Sequence, residues 1–430
     1  MNYITKIKIN KVRHLKNIEI PLSNDECKHL IITGKNGSGK TSLLEALRLF
    51  LWINYEDPTT SAWIINKINE DKTFSNIDKS DSVDPLKYQF ETEKIIPKMG
   101  TLFTYPGKEQ TLQILKKLSG VEVEFKEMDL KNWSLDPKCY ILAYYSANRT
   151  YFVPNEKGEK ITFKDSYQPY EKPGKDFVKY LKELYSQEAL FRRAGKIERA
   201  DEVQVWITNF NNTLKKIYDN DRMKITLDIE QMKFFIEEPG KNPFSFDELA
   251  SGYAAILDIV TDLMMRMEKN SSKKYDLPGF VLIDEVDAHL HLSLQKNILP
   301  TLTTLFPNIQ FIVTTHSPFV LSSISNAVVY NLETNTLVNT SEELSRLPYS
   351  GIVEGYFGVS ELSKKLKEKF ERYKELAQKN NFNDDDYNEL GDLESYLDEI
   401  PYFLALDIMA DYRQIKLELE QREETKEING

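Results

Sequence analysis

The sequence predicts an α/β protein with a mixed sheet, an antiparallel subdomain, a charged helical lobe and a helical C-terminal extension. Three observations predict it. Residues 3–33 alternate apolar and polar positions and end in a glycine-rich loop that opens a helix. Two short apolar runs, Phe280–Ile283 and Phe311–Val313, are bounded by turn or polar residues, as central parallel strands are. Long stretches after Lys175 and after Asn331 carry charges at helical spacing.

In chain order, Ile4, Ile7, Ile9 and Val12, then Ile18 and Ile20, then Leu30 to Ile32 read as three short strands. The third enters the loop 34–41, and Ser42–Trp52 then repeats apolar residues at helical spacing. Residues 54–118 are polar and irregular, punctuated by Asp57-Pro58, Asp84-Pro85 and Pro106-Gly107, and read as an insertion. Val121–Phe125 and Tyr140–Tyr145 add two strands. Lys175–Tyr218 is helical and heavily charged, interrupted at Ala194-Gly195. Lys224–Leu227 and Lys233–Ile236 form a hairpin, after which Gly240 and Pro243 mark a break. An apolar helix, Ala254–Met265, precedes the run at 280. Beyond about Asn331 the chain reads as charged helices, with 383–388 (NDDDYN) as a solvated linker more than a metal site. The chain thus divides into a first core half at 1–160, a helical lobe and hairpin at 161–243, a second core half at 244–335 and a helical extension at 336–430.

With 430 residues, 41% of them hydrophobic, the chain can bury one large core or two ordinary ones. No apolar run is long enough to span a membrane, and the N-terminus lacks the layout of a secretory signal. A cytoplasmic location without a membrane partner is expected. Cys27 and Cys139 are too few for a disulfide framework and lack CxxC spacing, which fits a reducing compartment. A net charge of -11 excludes a protein that coats nucleic acid over its whole surface and leaves only a local basic groove. Lys179, Lys182, Arg192, Arg193, Lys196 and Arg199, and the tail from Lys364 to Lys374, either track a phosphate backbone or, with their interleaved glutamates, form solvated faces.

The segment Gly34-Lys35-Asn36-Gly37-Ser38-Gly39-Lys40-Thr41 is a full GxxxxGK[ST] match between a strand and a helix. Glycines let backbone N–H groups wrap phosphates, and the helix beginning around Ser42 aims its positive end at them. Lys40 balances β/γ-phosphate charge and Thr41 offers a hydroxyl to Mg²⁺, so ATP and Mg²⁺ are the expected ligands. The run Phe280–Ile283 ends in two acids. Asp284 at the strand's carboxyl end suits Mg²⁺ held through water, and Glu285 suits orienting or deprotonating the attacking water. The run Phe311–Val313 continues through Thr314 and Thr315 to His316, where a residue can sense a γ-phosphate. Lys40, Glu285 and His316 are the candidate catalytic residues. Leu249-Ala250-Ser251-Gly252-Tyr253 opens the apolar helix, and a helix N-terminus at Ser251-Gly252 is suited to an anion.

The order of these motifs resembles that of ABC ATPases: Walker A, signature, Walker B, D-loop, H-loop. FDELASGY is similar to the FxxLSxG signature of the RecF, OLD and SMC-like branch. IDEVDAHLHLSLQ resembles that branch's Walker B and D-loop, and IVTTHSPFVLSS its H-loop segment. The resemblance covers most of residues 1–50 and 244–325. It implies an ABC-ATPase head that hydrolyses ATP, and a homodimer or higher oligomer with composite ATP sites. Ser251 and Gly252 of one subunit would cap the γ-phosphate held by another, with Asp287 at the seam. The usual second signature serine is Ala250 here, which bears on the hydrolysis rate more than on binding. Gln168, Ser146 and Asn148 all stay open as the Q-loop residue. Arg13 and His14 fall where relatives place basic residues near the nucleotide, and a plain surface role fits them equally. His289 and His291 form an HxH pair, but zinc has no further His or Cys pair nearby, and the wording matches the branch's D-loop neighbourhood.

Within the branch the chain looks most like Septu PtuA-like ATPase subunits of bacterial anti-phage defence systems and their retron-linked relatives. The phrase YSGIVEGYFGVSE after the H-loop is a softer point of likeness. The resemblance implies an ATPase that senses phage or altered DNA and controls a separately encoded nuclease or toxin. OLD-type nucleases carry a C-terminal TOPRIM domain; 114 residues follow His316 and read as helices, so no built-in nuclease is expected. Two other readings stay open: an ATP-loaded scaffold that holds an effector until triggered, and a RecF-like DNA-repair ATPase. A transporter ATPase fits the signature and insertions poorly.

Overall fold

The alternating N-terminal segments form a three-stranded antiparallel sheet of β1 (Ile4–Val12), β2 (Leu15–Pro21) and, on the other side of β1, β4 (Val121–Phe125). Ile7, Ile9, Val121 and Val123 fill its inner face with the period-2 burial that the sequence pattern requires, and a register shift between Ile4 and Lys6 against β4 breaks that period so that Ile4 is buried as well. The computed structural model describes residues 2–55, 119–126, 138–149, 161–231, 233–271, 275–338, 344, 364–379, 381–400 and 406–429. Of the expected insertion at 54–118, residues 56–118 lie outside the described residues, as does the phrase at 349–361. The chain divides into two units, Met1–Tyr349 and Ser350–Gly430.

The central sheet of the first unit contains β3 (His29–Thr33), β5 (Ile141–Tyr145), β9 (Gly279–Ile283), β10 (Ile309–Thr314), β11 (Ala327–Asn331) and β12 (Thr336–Val338). Its order is β12-β11-β3-β10-β9-β5, and every pairing is parallel except β11 with β12. All residues of β3, β9, β10 and β11 are buried, which is why Leu30–Ile32, Phe280–Ile283 and Phe311–Val313 read as short apolar runs. Helix α1 (Lys40–Tyr55) buries Leu43, Leu44, Leu47, Phe50 and Leu51 in the core beneath the sheets. β12 lies in a stretch that reads as the start of the helical tail; its register on β11, Asn331 with Thr336, makes a short hairpin on the edge of the sheet.

The lobe consists of α2 (Phe177–Arg193) and α3 (Ile197–Tyr218), joined where Gly195 takes a φ of 73°. Its aromatic core includes Trp206 stacked on Phe210 at 5.7 Å. A small antiparallel sheet follows: β6 (Lys224–Asp228), β7 (Lys233–Glu237) and β8 (Phe244–Ser245). Then come α4 (Ser251–Met267), α5 (Leu292–Leu305) and the short α6 (Pro318–Leu321).

The second unit packs α7 (Lys364–Ala377), α8 (Asp384–Asp398) and α9 (Leu406–Asn429) around Phe370, Tyr373, Leu397, Met409 and Tyr412. The segment expected as a linker at 383–388 instead opens α8. Asn383 accepts the Asp386 N–H at 2.7 Å and Asp386 accepts the Asn383 N–H at 3.2 Å, a reciprocal cap. Three aspartates then complement the positive helix end. Among the described residues, no helix is long and apolar enough to cross a membrane.

Candidate nucleotide site

Strands β3, β10 and β9 are neighbours, with Ile32 level with Thr314 and Val313 level with Ile283. The loop after β3, the acids after β9 and the histidine after β10 therefore emerge side by side. Open α/β sheets take ligands beyond the carboxyl ends of their strands.

Gly34, Gly37 and Gly39 turn the loop with φ of 138°, 82° and 97°. At Gly39 the positive φ disfavours a side chain, and a Cβ would also come within 2.9 Å of Leu15 Cδ1, so Leu15 would have to shift to admit one. That turn brings His14 Nε2 to 3.1 Å from the Ser38 carbonyl oxygen, while Arg13 is exposed. Lys35 and Asn36 are exposed, and Lys35 pairs with Glu333 at 2.7 Å. Lys40 is buried, and its ammonium donates to the carbonyls of Gly34 at 2.8 Å and Lys35 at 3.1 Å. Burial pulls its pKa below the usual lysine value; Glu285, Asp284 and Asp287 oppose that shift. Ser42 is buried at the first turn of α1.

Asp284 is buried and accepts two hydroxyls: Thr41 Oγ1 at 2.8 Å and Thr314 Oγ1 at 2.6 Å. Thr314 Oγ1 also accepts the Glu285 N–H at 2.7 Å. Glu285 has a φ of 46°, left-handed for a residue with a side chain, at a cost of roughly 1–2 kcal/mol. The chain then curls tightly: Ala288 N–H donates to the Glu285 carbonyl at 2.8 Å and Leu290 N–H to that of Asp287 at 3.0 Å. Asp287 Oδ1 accepts the Thr315 hydroxyl. His316 Nε2 is buried and has no hydrogen-bond partner among the described residues. Burial first, and Lys40 second, hold its pKa below the ordinary imidazole value, which favours the neutral ring.

Arg149, one residue beyond the Ser146 and Asn148 considered for the Q-loop, is missed by motif reading. It is 5% exposed, and it donates to the carbonyls of Asp284 and Glu285, each at 2.7 Å, and of Ser146 at 3.1 Å. The one available signal is a basic residue just past a strand expected in the core. Gln168 accepts the Trp52 indole N–H at 2.5 Å, and Ser146 donates to the Asn148 carbonyl at 3.3 Å.

At the signature, Ala250 caps α4 through its extended backbone (φ −60°, ψ 142°) and Ser251 is exposed. Gly252 is buried, and a Cβ there would stand 3.0 Å from the His289 carbonyl oxygen. The helix N-terminus thus rests on the curl that follows Glu285. Tyr253 stacks on Tyr218 of α3 at 3.8 Å and 5°. Further along, Asp262 accepts Arg266 Nε and the Tyr145 hydroxyl, both at 2.8 Å, and the Gly174 N–H at 3.0 Å. His289 and His291 are exposed, with His291 Nδ1 3.3 Å from Ser293 Oγ.

The chemistry on hand is an ammonium inside a glycine loop, a hydroxyl and carboxylate pair able to hold a divalent cation (Thr41 and Asp284), an adjacent carboxylate and an unpartnered imidazole nitrogen. Family models match in two overlapping segments: "AAA ATPase domain" over residues 2–183, and "AAA domain, putative AbiEii toxin, Type IV TA system" over residues 121–322. The Septu protein PtuA of Bacillus mycoides is 26% identical over 98% of this chain and 55% of its own length. The Retron Ec83 probable ATPase of Escherichia coli is 34% identical over 34% of this chain and 28% of its own. The chain thus spans about half the length of the first relative or less of the second. A solved SMC head domain from Thermotoga maritima covers 76% of this chain and 94% of its own at 14% identity, with a TM-score of 0.34, and adds nothing to the fold described above.

Proposed function

We propose that this chain, a P-loop ATPase similar to PtuA, binds and hydrolyses ATP as a subunit of a bacterial anti-phage defence complex. The observation that supports it most is the convergence of Lys40, Thr41, Asp284, Glu285 and His316 where β3, β9 and β10 end. Mg²⁺, held by Thr41 and Asp284, would offset charge on the β- and γ-phosphates. Lys40 exchanges the carbonyls of Gly34 and Lys35 for phosphate oxygens, and the backbone from Gly34 to Ser42 cradles them. Glu285 orients the attacking water and accepts its proton. His316 turns its open Nε2 to the γ-phosphate.

Ser251 and Gly252 of a second copy cap that phosphate, with Asp287 at the seam, so the working form is a homodimer or higher oligomer. Ala250 lacks the hydroxyl a serine would supply, which makes turnover slow. The trigger is phage or altered DNA, and the exposed Arg193, Lys196 and Arg199 at the tip of the lobe are its candidate contacts. The output is control of a separately encoded nuclease or toxin in the cytoplasm. Ala250 also favours a second reading, an ATP-loaded scaffold in which turnover plays no part.

A tagged Glu285→Gln chain, recovered with ATP from cells carrying the native gene neighbourhood, tests this. A stoichiometric nuclease or toxin among the recovered proteins supports effector control. DNA alone sinks it and leaves a repair ATPase. Retained protection of Glu285→Gln cells against phage selects the scaffold.

A further inference from the structure

The geometry points to Arg149 as the positioning residue that holds the Asp284–Glu285 backbone in its active form, an inference that rests on the reading of Glu285 as the group that prepares water. A buried guanidinium is expensive to desolvate and normally meets a carboxylate. Arg149 instead donates to three main-chain carbonyls, of Ser146, Asp284 and Glu285, and to no carboxylate oxygen among the described residues. Two of these belong to the peptides on either side of the Glu285 Cα.

The Glu285 backbone is one that needs holding. Its φ of 46° is unfavourable for a residue with a Cβ. A return to ordinary extended or helical backbone would swing the side chain to a new direction. Three groups resist that return: the Thr314 hydroxyl takes the Glu285 N–H, and the Glu285 carbonyl receives both the Ala288 N–H and Arg149 Nη2. Thr314 belongs to β10 and Arg149 follows β5, the two strands that flank β9. The Asp284 N–H also donates to the Tyr145 carbonyl at 2.8 Å. The catalytic peptide is therefore gripped from both neighbouring strands, and on the β5 side Arg149 supplies the grip beyond the last ladder bond.

Both terminal nitrogens of Arg149 are already committed to carbonyls, so it acts through Glu285 and leaves phosphate to Lys40. A lysine in its place supplies charge without the fork that spans two successive carbonyls. Removing the fork should slow the chemical step and leave ground-state ATP binding intact.

The test uses the full chain with Arg149→Lys, Arg149→Met and Arg149→Ala, reading kcat, KM, affinity for a fluorescent ATP analogue, and rescue by millimolar guanidinium. The expected result is a fall in kcat of about tenfold or more in Arg149→Met, KM and affinity within about threefold of wild type, and a smaller fall in Arg149→Lys. Guanidinium should raise kcat of Arg149→Ala and leave wild type unchanged. An unaltered kcat in Arg149→Met overturns the inference. So does joint loss of affinity, thermal stability and kcat in all three variants without rescue, the pattern of a merely structural residue. Absence of turnover in the wild-type chain sinks the ATPase reading itself, and this inference with it.

Discussion

Lowering the pH from 7 to 5 is expected to weaken the strand that carries the phosphate loop, through His29. This residue starts β3, is 9% exposed and packs its ring against Phe311 at 5.7 Å. Its Nδ1 accepts the Phe311 N–H at 3.1 Å, which only an unprotonated nitrogen can do. Burial lowers the pKa to about 4. In the unfolded chain the imidazole returns to about 6.5. Below that pH the unfolded chain takes up a proton that the native chain refuses until about 4. The stabilisation is therefore complete above about 6.5 and is lost as pH falls toward 4. A gap of about 2.5 units corresponds to about 3 kcal/mol in full and about 2 kcal/mol at pH 5. Of the four tryptophans, Trp52 and Trp206 are buried in the first unit, and their fluorescence reports its unfolding. Urea unfolding of wild type and His29→Gln at pH 7 and pH 5 gives a difference from which the carboxylates common to both chains cancel. Wild type should lose about 2 kcal/mol more than His29→Gln over this interval. Equal losses would refute the argument from a buried neutral ring.

Asp262→Ala strips Arg266, 3% exposed, of its carboxylate partner and the Tyr145 hydroxyl of its acceptor. A loss of about 3–5 kcal/mol is expected in the same fluorescence unfolding, little changed by salt, and a loss below about 1 kcal/mol counts against a working ion pair. Lys40→Ala removes the one buried ammonium of the phosphate loop. Titration with a fluorescent ATP analogue should show affinity weakened by about 2 kcal/mol, roughly 30-fold; unchanged affinity would place the phosphates elsewhere.

The parts of this molecule legible in the sequence are those whose signal is local. β1 and β2 alternate because one face is buried; β9 and the Phe311–Val313 centre of β10 are apolar because both faces are. The phosphate loop is legible because backbone turns, helix start and lysine fall within a single octapeptide. What escaped depends on which strands become neighbours. Arg149 matters because β5 lies beside β9, and the residues it holds are more than a hundred positions away. Thr314 and Thr315 look like the polar end of a strand until the register sets them against Asp284 and Asp287. The triple aspartate at 384–386 misled for a different reason. Acidic runs signal solvated chain by composition, but behind Asn383 the same residues are favoured in a helix's first turn.

Helix α4 is tied to the Asp284–Glu285 peptide by two routes that meet at one point. At its N-terminus Gly252 sits against the His289 carbonyl, within the curl that starts at Glu285. Farther along, Asp262 and Arg266 fasten it to Tyr145 and the Leu142 carbonyl of β5, and the segment leaving β5 carries Arg149 back to the Asp284 and Glu285 carbonyls. Displacement of the signature helix therefore reaches the Glu285 backbone from both sides. Gly252→Val puts a Cβ 3.0 Å from the His289 oxygen and adds two methyls, so helix and curl must separate by some tenths of an ångström. Steady-state hydrolysis, read as kcat at saturating ATP because Gly252 is also proposed to cap the γ-phosphate of a second copy, should fall about tenfold. Because Gly252→Val and Arg149→Lys disturb the same peptide, their effects on kcat should not multiply: the double variant should lie within about threefold of the worse single one. A double variant whose loss equals the product of the two single losses would show that the helix and the arginine act on different steps, and the peptide at Glu285 would no longer be their meeting point.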